Sequence, residues 1–374
     1  MITQQTRNFI TRTVLLIALA ASLFFYMRYE NTPVVNVYNW YSMIPKDVLD
    51  DFYKETGIRV VIDYYDNNDV LSAKLFAGNS GYDVVFPSAS PYLGNQIKAG
   101  IYQKINKALI PNYSDLEPIL IEQIRVVDPG NEYSVPYFWG TLGIAFNEDM
   151  IKARLPHAPL DSYALLFNPE IVKHFKDCGV TLLEESIDVY PLVLLYLGKD
   201  LKSSSIDDLI TAQRHLMQIR PFIRRFSSSR IVGELMNGET CLAQAWSGDT
   251  QIAIREAKKL GKNLRYIIPK EGTTLWIDSM VIPKDAPNPL NAHTFINFML
   301  RPDIVARVSL FTLLATATEK SHKYLPQDFK DDESVFPNPE VMKKLQLDQD
   351  QDLEYERERN RMWTNFRLNR HESY

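Results

Sequence analysis

Apolar positions in the first part of the chain switch between short continuous runs and helical spacing. Val34, Val35 and Val37 form a run that ends in Tyr38-Asn39-Trp40-Tyr41, which predicts a buried strand over 34–40. Pro45 opens a predicted helix over 45–56, with Val48, Leu49 and Phe52 on its apolar face and Gly57 as its stop. IRVVIDYY at 58–65 reads as a second strand, followed by a helix from about Asp69 to Gly78. Tyr82–Phe86 is a third short strand that runs into Pro87-Ser88-Ala89-Ser90. A helix carrying Leu93, Ile97 and Ala99 then closes at Gly100. This alternation predicts a mostly parallel α/β sheet covered on both faces. Ligands bind at the carboxyl ends of strands in such sheets, and Trp40 falls at one of them.

The pattern changes around NEYSVPYFWGTLGIAFN (131–147), where two strand-like segments meet with no helix between them. That is how a chain crosses into a second lobe. Helical spacing returns near 188–198 and 206–219, and the strand Cys241–Trp246 leads into a helix over 250–260. A strand over 275–282 (LWIDSMVI) breaks at Pro283, and Pro289 starts a helix over 289–300. Beyond about Gln327 the chain turns polar and acidic, ending in a charged helical stretch over 352–368 expected on the outside. Two α/β lobes joined by more than one crossing are the expected architecture. The first comprises 34–138 plus about 276–306, and the second 139–275 plus about 307–374.

Composition narrows the class. At 374 residues the chain can hold two cores, and 45% hydrophobic with 23% charged residues is ordinary for a globular protein. The net charge of −5 argues against nucleic acid and suits a cationic partner. Residues 1–33 stand apart: Arg7 and Arg12 precede an uncharged apolar stretch from Val14 to Met27, the layout of an export signal. Cleavage after Ala18-Leu19-Ala20 would leave Leu23-Phe24-Phe25-Tyr26 on the mature protein, which favours an uncleaved membrane anchor over a cleaved signal peptide. Either way the body lies outside the cytoplasm. In an exported chain the even pair Cys178 and Cys241 favours a disulfide, against the alternative of two small buried residues. Two cysteines and six scattered histidines do not make a metal site.

No nucleophile-elbow, P-loop, zinc-protease or dinucleotide motif occurs, so the chain is not read as an enzyme and no catalytic residue or cofactor is assigned. What remains is a set of aromatics and acids near strand ends. Trp40 ends the first strand, Trp246-Ser247-Gly248-Asp249 ends another, Trp276-Ile277-Asp278 lies inside a third, and Asp188 opens a helix. Singly, a Trp is core more often than site, Asp249 would serve as an N-cap, and Asp188 would complement a helix dipole. Asp278 is different. A carboxylate within Leu-Trp-Ile-Asp-Ser-Met-Val-Ile is expected to be buried, and that strand holds no base to pair with it. Acids in a cleft walled by Trp faces suit an organic cation such as a flexible diamine.

The stretches VYNWYSMIPKDVLDDFYKETGIRV, YDVVFPSAS, SVPYFWGTLGIAFN, VLLYLGKD, AQAWSGD, IPKEGTTLWIDSMVIP and FINFMLRPDIVA resemble the polyamine-binding extracytoplasmic receptors of bacterial ABC importers, above all those for putrescine. The resemblance runs from about 34 to 365. It implies the two-lobed type II periplasmic binding protein fold, closing on a ligand between lobes, and a Cys178–Cys241 bridge. It further implies a box in which Trp40 is the first aromatic, Ser88 the serine of the P-S-A-S loop, and Trp246 and Asp249 a W-x-G-D pair. Asp188 stands where the putrescine receptor has Glu, Trp276 stands at a Phe position, and Asp278 is the central acid. Tyr41, Ser42 and Met43 replace the usual Ser or Thr, acid and Tyr, and Leu314 replaces a late tyrosine. One acid and two rings are therefore missing, with Tyr41 and Trp276 as candidates to refill the space. The resulting expectation is a monomeric solute-binding receptor for putrescine or a related amine, with an inner-membrane ABC permease as partner. The alternative is a membrane-anchored sensor or interaction protein of the same fold with altered or lost amine binding.

Overall fold

The computed structural model describes residues 32–347 and 351–370. The expected signal or anchor at Val14–Met27 lies outside these residues. Among the described residues no helix is long and apolar enough to cross a membrane.

The first strand, β1 (Val34–Trp40), is followed by helix α1 (Lys46–Thr56), β2 (Arg59–Tyr65), α2 (Asn68–Phe76) and β3 (Val84–Val85). Pro45 precedes the first helical residue of α1 with extended backbone, and Gly57 ends the helix at φ 70°, a conformation that glycine adopts without penalty. β1 lies between β2 and β3, parallel to both, so the carboxyl ends of all three strands point the same way.

The crossing at 134–147 is one strand. β4 (Ser134–Asn147) runs unbroken for 14 residues and is buried throughout, where the sequence pattern suggested two segments meeting. Pro136 has no N–H to donate to a ladder, so the register slips between Pro136 and Phe138 and the strand continues past a bulge. The amino-terminal half of β4 pairs antiparallel with β9 (Thr273–Val281), and residues 142–146 pair with β7 (Leu242–Trp246). Beyond β7 come β5 (Val180–Leu182) and β6 (Arg225–Phe226), both parallel. β8 (Leu264–Ile267) flanks the far end of β4.

Two apolar cores divide at the same point. Trp139 belongs to the first and Leu142 to the second. The first core gathers 35–139, 275–308 and Leu314, Ala315, Ala317, Val335, Leu345 and Leu347. The expectation had placed 307–374 with the second lobe, but only Tyr355, Met362, Trp363 and Phe366 pack there. Those four lie on a terminal helix (Leu353–Arg367), whose charged residues conceal a narrow apolar stripe. It lies on the outside of the protein and docks that stripe into the second core.

Cys178 and Cys241 are bridged within the second core, with Cα atoms 5.5 Å apart and a sequence separation of 63. In the chain-entropy model a loop of this length contributes about 4 kcal/mol. Reduction, or replacement of both cysteines by Ala, is expected to lower the melting temperature. Mass spectrometry of alkylated, unreduced protein should find no free thiol.

Candidate ligand-binding site

The strand ends create the first wall. Trp40 and Tyr65 are the last paired residues of β1 and β2. Both reach the carbonyl of Phe86, just past β3: Trp40 Nε1 donates at 3.1 Å and the Tyr65 hydroxyl at 2.6 Å. Their rings lie 4.6 Å apart. The indole of Trp40 is thus pinned at one edge and half-buried. Tyr41, next in sequence, is 76% exposed and meets only the edge of Tyr64, 5.4 Å between centroids. Ser42 follows with φ 56°, so the chain turns sharply there.

Period two along β9 puts Trp276 and Asp278 on the same face. Asp278 sits beside the bulge, paired across the ladder with Phe138 and bridged to Ser88 on its other side. It is 8% exposed, and among the described residues no base is ion-paired with it. Its partner is a hydroxyl: Ser88 Oγ donates to Oδ1 at 2.7 Å. Burial pushes the Asp278 carboxyl up to about 7, against a smaller downward pull from the serine. Ser88 is held in turn by Asn68, which donates from Nδ2 to Oγ at 3.1 Å and accepts the Ser88 N–H at 3.2 Å.

The indole of Trp276 lies over Gly140, its register partner on β4. A Cβ at Gly140 would stand 2.4 Å from Trp276 Cζ2 and 2.6 Å from Ser247 Oγ, so only glycine allows this approach. Trp276 Nε1 is buried with no acceptor among the described residues. Ser247 Oγ accepts the Thr141 N–H at 3.2 Å, tying the crossing strand to the helix Ser247–Lys259. Trp246 is the cap of that helix, and Asp249 is its third residue instead of the N-cap. Asp249 is solvent-accessible, yet the protein around it raises its carboxyl through desolvation. Leu314 rests a methyl against Gly248.

Asp188, half-buried in the first turn of the helix Ser186–Tyr196, accepts Gln244 Nε2 at its backbone carbonyl, 2.6 Å. Across from it stands Tyr92 of the first lobe. Burial, with Asp69, Glu185 and Asp188 around it and a hydrogen bond to Asp69, pushes this phenol up to about 12. Beside it a cavity of about 450 Å³ opens between the lobes, with Asp69 and Tyr92 on one wall and Glu185 and Arg359 on the other.

The structure therefore joins Trp40, Ser88 and Asp278 in one cluster, and places Trp276 and the Trp246–Asp249 turn around Gly140 and Ser247. Asp188 lies nearer Tyr92, and Tyr41 joins neither group. Asn68, Tyr65 and Ser247 escaped the sequence reading. No local signal marked Asn68, because its task depends on a serine twenty positions away.

Residues 47–337 match the family model described as bacterial extracellular solute-binding protein. The chain is 40% identical over 360 residues to the putrescine-binding periplasmic protein SpuD of Pseudomonas aeruginosa, covering 95% of this chain and 98% of that one. It is 39% identical over 337 residues to the putrescine-binding periplasmic protein PotF of Escherichia coli, covering 89% and 91%. Among solved structures it is similar to the spermidine/putrescine ABC transporter substrate-binding protein PotD of Streptococcus pneumoniae. There the TM-score is 0.82 at 28% identity, with 91% of this chain and 100% of that one covered.

Asp278 has a direct consequence for stability. Its carboxyl is raised on folding from an ordinary 3.8, so the folded state binds the proton more tightly than the unfolded one. That contribution is whole below about pH 4 and is lost as pH rises through 7. Asp278→Asn imitates the protonated acid. Urea unfolding of ligand-free protein is expected to show the variant matching the parent near pH 4 and exceeding it by roughly 4 kcal/mol above pH 7.

Proposed function

The chain belongs to the bacterial extracellular solute-binding proteins, and from that premise we propose that it is a periplasmic receptor for putrescine or a closely related amine. The observation that carries this reading is Asp278, a buried acid whose counter-charge is absent from its surroundings among the described residues. Such a group is stable either protonated or beside a cation. An ammonium at Asp278 supplies that cation. The faces of Trp40, Trp246 and Trp276 pack the aliphatic stem and add cation–π attraction. Asp249 and Asp188 supply further negative charge, and Ser88 steadies the central acid.

The receptor performs no chemistry. Capture draws the first lobe (34–138 and about 276–306) and the second (139–275) together around the amine, and the closed form docks as a monomer on an ABC permease of the inner membrane. The apolar segment Val14–Met27 exports the chain and tethers it to the outer face of that membrane. Tethering is tested by fractionation: a soluble protein beginning after Ala20 overturns it.

Two measurements test the ligand assignment. Because the site loses a proton when a cation enters below pH 7, putrescine affinity is expected to fall by up to tenfold per pH unit there, with proton release seen by calorimetry in buffers of different ionisation enthalpy. Asp278→Asn is expected to cost about 2–5 kcal/mol of binding while the protein stays folded. Unchanged affinity in that variant places the site elsewhere.

A further inference from the structure

We propose that Asn68 is a positioning residue that fixes the direction of the Ser88 hydroxyl and, through it, keeps Asp278 ready to ionise. The inference rests on the reading of Asp278 given above. Asn67 accepts the Val70 N–H at 2.9 Å and so caps α2, which leaves the Asn68 side chain free for another task. That side chain is 9% exposed and makes both of its hydrogen bonds to one residue. The Ser88 N–H can only donate, so it fixes the amide oxygen toward itself at 3.2 Å, and the Nδ2 group must then face Ser88 Oγ at 3.1 Å. Nδ2 can only donate. The hydroxyl is thereby made an acceptor on that side, and its own proton is directed to Asp278 Oδ1 at 2.7 Å. A donor aimed at a carboxylate favours the ionised form, the form that pairs with a cation. Tyr65, from β2, is the titratable group whose phenol senses Asp278, and Phe138 faces it from β4. Among the described residues no charged side chain is hydrogen-bonded to it.

Asparagine is the one residue of this size that can both accept from the serine N–H and donate to its hydroxyl. Aspartate would accept twice. It would turn the hydroxyl proton toward itself and away from Asp278, while adding a negative charge to the cleft. The two effects oppose each other, and that makes the Asn68→Asp variant informative. If Asn68 merely lined an acidic cleft, the added charge would tighten a dicationic ligand. If it positions Ser88, binding weakens at neutral pH and recovers only at higher pH.

The test follows the titration of Asp278 in the ligand-free full chain by carbon NMR of labelled aspartate carboxyls, with Asp278→Asn for assignment, alongside putrescine calorimetry from pH 5.5 to 9. Asn68→Ala is expected to raise the Asp278 midpoint by about half a unit, and Asn68→Asp by about one unit or more. The pH dependence of putrescine affinity should move by the same amounts. Ser88→Ala should raise the midpoint too, and adding Asn68→Ala to it should produce no further shift. An unmoved midpoint in Asn68→Ala, with only a lower melting temperature, would show that Asn68 merely staples the loop to α2. Tighter putrescine binding by Asn68→Asp, or additive shifts in the double variant, would also overturn the proposal. Failure of the parent protein to bind putrescine would remove the ligand assignment, whereas the NMR midpoints would still decide the role of Asn68.

Discussion

A carboxylate shut away from water and answered, among the described residues, by a serine hydroxyl sets the terms for the rest of this structure. Removing such a group from water costs far more than one neutral hydrogen bond returns. The protein therefore carries an unsettled electrostatic demand at the seam between β3 and β9. The surrounding features serve that demand. Trp40 and Tyr65 are locked to the Phe86 carbonyl, so the wall beside the acid cannot collapse into it. The bulge at Pro136 and Phe138 interrupts the ladder next to Asp278. Bulges of this kind re-aim side chains at functional places in sheets.

The second constraint is geometric. β4 belongs to both cores, and the change of partner from β9 to β7 occurs at Thr141 and Leu142. Trp246 and Trp276 lie at this junction, where the two cores come within reach of one another. Gly140 gives the Trp276 indole room over the backbone, and Ser247 ties the same stretch to the helix that begins after Trp246.

Much of this was legible in the sequence because it depends on local periodicity. The strand at 34–40 and the helix at 206–219 match their expected bounds, since each has an unambiguous apolar rhythm and clear ends. Asp278 stood out because an acid inside an apolar strand conflicts with everything around it. The charged helix at the carboxyl end was legible as a helix, but its docking face was not, because four buried apolar side chains among so many charges barely alter the pattern. The membership of 308–347 in the first core was hidden for another reason: it depends on pairings such as β11 (Leu345–Leu347) with β9, which no local signal encodes. Asn68 is the same case at the scale of one residue. Its meaning lies in a serine twenty positions away. Tyr41 shows the converse, a ring that looked placed for the cleft by adjacency to Trp40 and is turned out by the tight bend at Ser42.

The place of β9 in the sheet has a consequence for how the chain reaches this form. It is inserted between β3 and β4, yet it is translated more than a hundred residues after either. As the polypeptide emerges, the first lobe holds two strands whose open backbone edges wait for a segment not yet delivered. The second core draws on one nearly continuous stretch and lacks only the terminal helix. Its contacts close over shorter loops than the β9 pairings do, which lowers the entropic cost of forming them. Until β9 arrives, the unfilled slot beside β3 is the surface most exposed to misdirected strand pairing, and a holding chaperone would guard that slot best.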